Sequence, residues 1–323
     1  MENKKDKSFL KLLGRHPQLA TLIGLIAIFI FFSVARDTFL TLANMSNVIN
    51  QTATIAITGF GITMVLLTAG IDLSIGGVMA LVCVVCAKLL GTSMPIGLVM
   101  VIGLGLGALI GLCSGSIIAG FGIQPFLTTM GMVNIARGIA KYMTNGQSIF
   151  INADNFRNAI SQGTLFRLPV LTYWIILLMV VTYILISRTT FGRQVQAVGG
   201  NEQAAFFSGV KTKRVKIIVY TLMGLYSAFA GIVTLSRLSS GLPTVANGAE
   251  MDAIAASVLG GTGFAGEGGN VFGTLMGAFL IGMIVNGLTI MSVNSFLQEV
   301  IKGLIIIGTV IMSVKLSSIN KAD

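Results

Sequence analysis

The sequence predicts an all-α, polytopic integral membrane protein of about ten transmembrane helices. Of its 323 residues, 54% are hydrophobic and only 10% are charged, whereas a soluble domain is closer to a quarter charged. So few charges leave most of the surface apolar, and bilayer lipid is the natural contact for such a surface. Because a spanning helix takes about 20 residues, the chain accommodates such helices, short loops and no large soluble domain. We therefore expect a single transmembrane domain over residues 1–323.

A succession of apolar runs is the second observation that predicts this fold. The first run follows basic residues, as in a signal peptide, but no small-residue cleavage pattern comes after it, so we interpret it as a retained helix. Each run is a candidate membrane helix. The runs fall at about 19–36, 52–70, 75–90, 95–119, 124–144, 169–187, 215–236, 249–261, 271–291 and 296–314.

The basic residues are concentrated in three stretches, and this distribution predicts the sidedness of the chain. These stretches hold 13 of the 21 Lys and Arg residues, and the positive-inside rule makes them cytoplasmic. Both termini, with the N-terminal segment 1–18, are then inside, which requires an even number of spans. The net charge of +10 is thus explained by membrane orientation and not by nucleic-acid binding. The three groups are Lys4, Lys5, Lys7, Lys11 and Arg15; Arg188, Arg193, Lys211, Lys213, Arg214 and Lys216; and Lys315 and Lys321.

The same positive-inside assignment predicts the side of the membrane on which each connecting segment lies. Residues 188–214 and 262–270 are expected inside, and 145–168 and 237–248 outside. The mixed polar and apolar segment 38–50 is expected to lie in the outer interface.

Glycine-rich stretches interrupt the apolar pattern at two places. Residues 70–77 read GIDLSIGG, and residues 260–269 read GGTGFAGEGG. Irregular backbone at membrane depth survives only where protein or a water-filled cavity surrounds it, and broken segments in the two halves of a transporter point toward its pathway. A weak internal repeat, based on spacing, relates the second to fifth helices to the seventh to tenth.

Glycines also recur every four residues on one face of the fourth run. Such a stripe lets a neighbouring helix backbone approach closely and predicts helix packing. The positions are Gly103, Gly107, Gly111 and Gly115, with a shorter version at Gly273 and Gly277.

No catalytic constellation is present in the sequence. His16 is the single histidine, and neither H-E-x-x-H nor G-x-S-x-G occurs. Cys83, Cys86 and Cys113 all lie in apolar runs, where inert buried thiols are expected. The glycine run at 260–269 lacks the G-K-[ST] ending of a phosphate-binding loop. We therefore expect no enzyme activity, no metal and no cofactor on this chain, and any ATP must bind to another subunit.

The central loop 188–216 is the most informative segment. It is consistent with an ordinary basic inside loop, but Ala204, Ala205, Phe206 and Phe207 suit a solvated loop poorly. Together with Gly209 they favour a short helix that docks into a groove on a partner. An interfacial helix at the membrane surface has a similar pattern.

Five stretches in order along the chain resemble one family. They read GIDLSIGG at 70–77, QPFLTTMG at 124–131, FGRQVQAVGGNEQAAFFSGV at 191–210, EMDAIAASVLGGT at 250–262 and GTLMGAFLIGMIVNGL at 273–288. In these stretches the chain resembles the membrane-spanning permease subunit of ribose-type (ribose, xylose or galactose) sugar importers of the ATP-binding-cassette (ABC) class.

The resemblance implies a docking signature, E-A-A-x-x-x-G, on the helix that couples to the ATPase. Here Gln203, not Glu, aligns with its first position, although Glu202 is adjacent, and the downstream I-x-L-P part is absent. This departure leaves the contact residues open. The implied ATPase-docking residues are Gly200, Asn201, Glu202, Gln203, Ala204, Ala205 and Gly209, with Gly209 at the turn that ends the helix.

The resemblance also implies the partners and the mechanism. It implies a homodimer in the bacterial cytoplasmic (inner) membrane, an ATPase subunit on the cytoplasmic face and alternating access without chemical change to the sugar. An extracytoplasmic sugar-binding protein would dock on 38–50, 145–168 and 237–248. Which sugar is carried stays open.

Polar residues within the apolar runs are the candidates for lining the pathway, namely Asp72, Asn134, Arg137 and Asn286. Each has an alternative. Asp72 is at least as well suited to cap the helix that begins near Ser74. Arg137 can pair with an acid elsewhere, and Asn286 can bond a neighbouring helix as well as a sugar hydroxyl.

Other charged residues in the apolar runs have local explanations. Glu299 and Lys302 are expected to form an ion pair within one helix. Glu250 and Asp252 suit the first turn of the eighth helix, near the outside.

Two other functions are alternatives to sugar import by an ABC importer. An ion-coupled secondary transporter requires intramembrane acids coupled to substrate, and Asp72 is the one strong candidate. A membrane-embedded enzyme requires a catalytic pair, which the sequence does not offer.

Overall fold

The protein is almost entirely helical, as predicted. The computed structural model describes residues 17–321 apart from Ser93; the basic N-terminal residues 4–15 and His16 lie outside the described residues. The helices are α1 Pro17–Ala35, α2 Leu42–Leu66, α3 Ile75–Leu90, α4 Ile96–Phe121, α5 Pro125–Thr144, α6 Asp154–Arg157, α7 Val170–Ser187, α8 Thr190–Gly200, α9 Glu202–Phe207, α10 Thr212–Leu238, α11 Ala249–Leu259, α12 Val271–Ile290 and α13 Ser295–Lys321, with a 3-10 turn at Asp37–Leu40 and a π-helical turn at Asn158–Gln162.

Four two-residue strands complete the secondary structure. β1 (Ile149–Phe150) pairs antiparallel with β4 (Ser240–Gly241), and β2 (Thr164–Leu165) pairs antiparallel with β3 (Leu168–Pro169). The first pair joins distant parts of the chain at one end of the helix bundle.

Each of the ten predicted apolar runs falls on a helix. Within the described residues, six helices are long and apolar enough to cross a membrane: residues 18–35 of α1, then α2, α4, α7, α10 and α12. The polytopic class is therefore confirmed, whereas a count of about ten crossings is not.

The helices α2, α10 and α12 form the centre of the bundle. Their apolar windows are 72%, 67% and 67% buried, against 11%, 28% and 22% for α1, α4 and α7. Because α1, α4 and α7 leave most of their apolar side chains uncovered, they form the outer surface, as expected of helices that face lipid.

The start of α2 corrects one prediction. Residues 38–50 were expected along the outer interface, with the second helix starting at 52, but α2 begins at Leu42. Thr41 caps it by accepting a hydrogen bond from the Asn44 amide over 3.3 Å. The polar side chain of Asn44 faces the protein interior beside Val48, where both are buried.

Two non-helical breaks interrupt the succession of helices. Residues 67–74 are non-helical between α2 and α3, as the glycine-rich stretch predicted. The second break is residues 242–248, which precede α11 and return along α3. The glycine pattern predicted this break at 260–269, but those residues join α11 to α12 at the end of the bundle where Gly266 packs on Gly199. Gly241 packs beside Ala87 near the end of α3, while the Ala246 carbonyl packs against Gly76 at its start.

The return of the chain along α3 corrects the prediction that all of 237–248 is an outer loop. Since Gly76 and Ala87 are eleven residues apart on α3, the chain descends by roughly 16 Å, at about 1.5 Å per residue, before α11 begins. The start of α11 therefore lies inside the bundle and not at its outer end.

Glycine stripes bring helices together, as predicted. A Cβ on Gly107, Gly111 or Gly115 would collide with α10, at Gly224, Tyr220 and Ile217 respectively. Gly273 and Gly277 face Gly260 and Ala256 at α11 in the same way. The order of these contacts shows that α4 runs antiparallel to α10 and α12 antiparallel to α11.

The connecting segments gather at the two ends of the bundle. The β1–β4 pair places residues 145–168 and the end of α10 together. At the opposite end, Gly199 packs on Gly266 and on the Leu67 carbonyl. Residues 188–214 and 262–270 thus share one end, which agrees with their predicted common side.

The two halves repeat in order and in opposite directions. Long helix, break, short helix and two further helices occur as α2–α5 and again as α10–α13. The first long helix of each half runs the other way, since α2 ends beside Gly199 and α10 ends beside β1. This geometry supports the weak internal repeat and corresponds to the inverted repeats of many transporters.

Candidate functional site

The predicted docking residues form a compact helical turn at one end of the bundle. α8 and α9 are joined by Asn201, whose Oδ1 accepts from the Ala204 amide over 2.9 Å and so caps α9. Glu202 pairs with Lys216 of α10 over 2.6 Å. Ala205 is buried, while Gln203 and Ala204 are exposed.

Two aromatic side chains on α9 face away from the protein. Phe206 is 63% exposed and Phe207 is 85% exposed. The two rings meet edge to face with their centroids 5.8 Å apart. Exposed aromatic residues at a tightly capped helix mark a contact surface for lipid or for another protein.

Glycines shape both ends of this predicted docking turn, residues 200–209. Gly209 has a φ of +85°, and its backbone amide bonds the Phe206 carbonyl over 2.9 Å. This conformation, which glycine adopts without strain, ends α9 as predicted. Gly200 and Gly209 have open space where a Cβ would lie, but Gly199 is pressed against the Leu67 carbonyl. The C-terminal end of α8 is thereby fixed on the end of α2.

Asp72 lies in the first break and is only 2% exposed. Its Oδ1 accepts hydrogen bonds from the Ser74 amide over 2.7 Å and from the Ser74 hydroxyl over 2.6 Å. These bonds stabilise the turn that leads into α3, but they reach the residue before its first turn, Ser74, and not the amides of the helix itself.

Asn286 is also buried, at 2% exposure. It exchanges two hydrogen bonds of 3.0 Å with Asn44, whose Nδ2 also bonds the Phe39 carbonyl over 2.8 Å. Of the two alternatives for Asn286, the structure shows the bond to a neighbouring helix.

Asn134 and Arg137 lie on α5, one turn apart. Asn134 is exposed, and its amide bonds the Met130 carbonyl on its own helix over 3.1 Å. Arg137 Nη1 bonds the Val245 carbonyl in the second break over 3.2 Å. A Cβ on Gly76 would lie 3.2 Å from Arg137 Nη2 and 2.8 Å from Glu250 Oε2. Arg137 therefore reaches the junction of the two breaks.

The charges of α11 and α13 correct another prediction. Lys302 was expected to pair with Glu299, but its Nζ lies 3.3 Å from Asp252 Oδ2. Asp252 was interpreted as a first-turn acid near the outside, whereas the start of α11 lies inside the bundle. The pair links α11 to α13, and a partner 50 residues away leaves no signal in a single sequence.

Arg237 is a residue that the sequence analysis missed. It lies at the end of α10, partly buried, and makes no hydrogen bond or ion pair with any described residue. With Asp252, Asn247 and three threonines it borders a cavity of about 230 Å³. A basic residue one position from the end of an apolar run is ordinarily an interface anchor, so its position gave no signal.

Broken helices within a polytopic helical bundle are typical of membrane transport proteins. The chain belongs to the family described as "Branched-chain amino acid transport system / permease component", whose model matches residues 44–310. The family is a transport component and not an enzyme family.

Curated relatives cover nearly the whole chain. The ribose import permease protein RbsC of Escherichia coli (strain K12) is 37% identical over 299 residues, 91% of this chain and 93% of the relative. RbsC of Bacillus subtilis (strain 168) is 37% identical over 306 residues, 94% and 95% of the two chains. The galactose/methyl galactoside import permease protein MglC of Salmonella typhimurium (strain LT2) is 36% identical over 340 residues, 100% and 99%. No solved structure gives a significant match.

Proposed function

We propose that this chain is the permease subunit of an ABC importer that carries a monosaccharide, such as ribose, xylose or galactose, into the cytoplasm. The observation that carries the proposal is the pair Phe206 and Phe207, exposed on a capped turn at the end of the bundle opposite the β1–β4 pair. An aromatic pair of this kind suits a groove on a partner, and the relatives are named as sugar import permeases. The ATPase subunit is the partner that provides this groove.

The docking turn has a direct mechanical connection to the centre of the protein. α9 is tied to α10 by the Glu202–Lys216 pair, and α8 contacts the end of α2 at Gly199. Beyond Leu67 the chain enters the first break, which leads into α3. Closure of the ATPases would therefore move α8, and α8 would move α2 and the break, which supports alternating access.

The pathway runs along the exposed face of α5, at the interface of a homodimer. This face carries Asn134 and the glycines Gly131 and Gly138, which have open space where a Cβ would lie. The opposite face is packed on the protein, since Ala136 and Ala140 are buried. The two glycines leave room on this face beside the large exposed side chains of Leu127 and Ile135, and Asn134 offers hydrogen bonds to a passing hydroxyl.

The orientation follows the distribution of basic residues. The chain is one transmembrane domain of about ten passes in the bacterial inner membrane, with both termini and the docking turn in the cytoplasm. The extracytoplasmic sugar-binding protein docks at the other end, on the 3-10 turn before α2, residues 145–168 and the β4 turn. The 3-10 turn and the β4 turn are shorter than the predicted docking segments 38–50 and 237–248, because parts of those two segments pack within the bundle.

An ion-coupled transporter is less well supported. The intramembrane acid that it would use, Asp72, is occupied by two hydrogen bonds to Ser74. In addition, both named groups of relatives are import permeases of sugars.

The docking proposal is tested by Gly209→Val, with Gly122→Val as the matched control. Both glycines have positive φ, +85° and +67°, and open space around them, so valine strains each turn by about 1–3 kcal/mol. We expect Gly209→Val to insert normally but to lose ATPase association and sugar uptake, because α9 no longer ends correctly. Gly122→Val should retain both. Uptake at the normal rate in Gly209→Val would contradict the docking assignment.

A further inference from the structure

A half-open cavity of about 230 Å³ lies at the end of α10, away from the exposed face of α5. Its walls are α2, α3, the end of α10 and the second break with the start of α11. Pockets for drug-sized ligands measure about 300–1,000 Å³, so this one suits a solute of a single sugar ring. Its polar wall is formed by Thr54, Thr58, Thr234, Arg237, Asn247 and Asp252.

The hydrogen-bonding groups of the cavity are mixed in type. Arg237 offers only donors, and none is used by a described residue. Asp252 Oδ2 accepts from Lys302, while its Oδ1 accepts no hydrogen bond within the described part of the chain. The hydroxyl protons of Thr58 and Thr234 are donated to carbonyls one turn back, over 2.8 Å and 2.7 Å. Each threonine oxygen is therefore left as an acceptor.

This mixture discriminates between classes of ligand. Asp252 is paired with Lys302, so among the described lining residues Arg237 carries the unpaired charge and disfavours a cation. An anion would satisfy Arg237, but its oxygens cannot donate hydrogen bonds to the acceptor oxygens of the threonines and Asp252. A hydroxyl both donates and accepts, so adjacent hydroxyls of one sugar can bond Arg237, Asp252 and the threonines together. Met79, Ile55 and Leu238 supply the apolar surface on which the C–H face of a sugar ring packs.

We propose that this cavity is a binding site for a monosaccharide within each permease subunit, where the sugar pauses beside the second broken segment. The proposal rests on the proposed function, because it assumes that the solute is a sugar. It adds a site in each subunit to the path along α5. Because the second break forms one wall, movement of α11 relative to α3 would open and close the cavity.

The charged contact is tested with Arg237→Gln, with Arg237→Lys as the conservative variant and Arg36→Gln as the control. Arg36 is exposed after α1 and does not line the cavity. In liposomes containing the complete importer, uptake of D-ribose, D-xylose and D-galactose is measured together with ATP hydrolysis. Loss of a hydrogen bond to a charged group predicts about tenfold lower uptake in Arg237→Gln, with binding-protein-stimulated ATP hydrolysis retained. Arg237→Lys should recover part of the uptake, and Arg36→Gln all of it.

Occupancy is measured directly by cysteine protection, which also covers the case in which Arg237→Gln fails to fold. Thr54→Cys is introduced with Cys113→Ser, because Cys113 is the exposed cysteine among the described residues. Thr92→Cys, in the exposed turn after α3, is the control. We expect the transported sugar to slow N-ethylmaleimide labelling of Thr54→Cys and to leave Thr92→Cys unchanged.

The outcomes separate the two proposals. If the wild-type importer takes up none of the three sugars, the proposed substrate class is wrong. If it transports a sugar that neither protects Thr54→Cys nor depends on Arg237, the path along α5 stands and the site in the cavity is overturned.

Discussion

Asn44 and Asn286 exchange two hydrogen bonds across the buried contact between α2 and α12. Replacing Asn286 with leucine leaves the Asn44 side chain without this partner in the interior. We expect a loss of about 1–3 kcal/mol in folding stability, measured as a lower midpoint of thermal unfolding in detergent. The Asn44→Leu/Asn286→Leu double variant should lose less than the sum of the single variants, because neither amide is then left unpaired. Strictly additive losses would show that the pair is not coupled.

The partners and roles of single residues were the hardest features of this protein to predict from the sequence. The sequence showed that Asp72 and Asn286 were unusual in an apolar setting, yet it left their roles open. Asp72 bonds a residue two positions away, so its local bond to Ser74 was foreseeable. Asn286 bonds a residue 242 positions away, and Lys302 pairs with Asp252 in preference to Glu299. Such choices depend on which helices become neighbours.

The helix pair α4 and α10 depends on its glycine stripe, and one glycine on the opposite face of α4 provides a control. A Cβ on Gly111 would collide with the Tyr220 carbonyl, whereas Gly105 has nothing within 4 Å. We expect Gly111→Ala to destabilise the protein by about 1–3 kcal/mol through overpacking. Gly105→Ala should be neutral or stabilise by up to about 1 kcal/mol through helix propensity. Thermal unfolding of both variants measures the difference, and equal midpoints would contradict the packing role.

At the level of elements, apolar runs and glycine patterns were reliable guides. All ten runs became helices, because in lipid a backbone must satisfy its hydrogen bonds within the segment. The start of α2 was missed since Asn44 and its neighbours read as interfacial until their buried partners were known. The descent of residues 242–248 along α3 was missed for the same reason.

The whole molecule has two distinct ends, and their sidedness can be measured. Gln147 and Gln203 are both exposed, one beside β1 and the other on α9. In a Cys113→Ser background, we expect a membrane-impermeant maleimide to label Gln147→Cys in intact cells. Gln203→Cys should be labelled only after the membrane is opened, because the positive-inside rule predicts that the basic segments face the cytoplasm. Labelling of Gln203→Cys in intact cells would place the docking turn on the wrong side for an ATPase.

The amino-acid sequence by itself determined the membrane class, the segments that form helices and the family. These depend on hydrophobicity, charge and local motifs, which act over a few residues or turns. Only the tertiary structure decided where α11 starts, which acid Lys302 meets, and that Arg237 and Asp252 border one cavity. Those features arise when segments far apart in the chain pack side by side. Because many pairings of helices bury apolar surface equally well, hydrophobic patterning alone does not select among them.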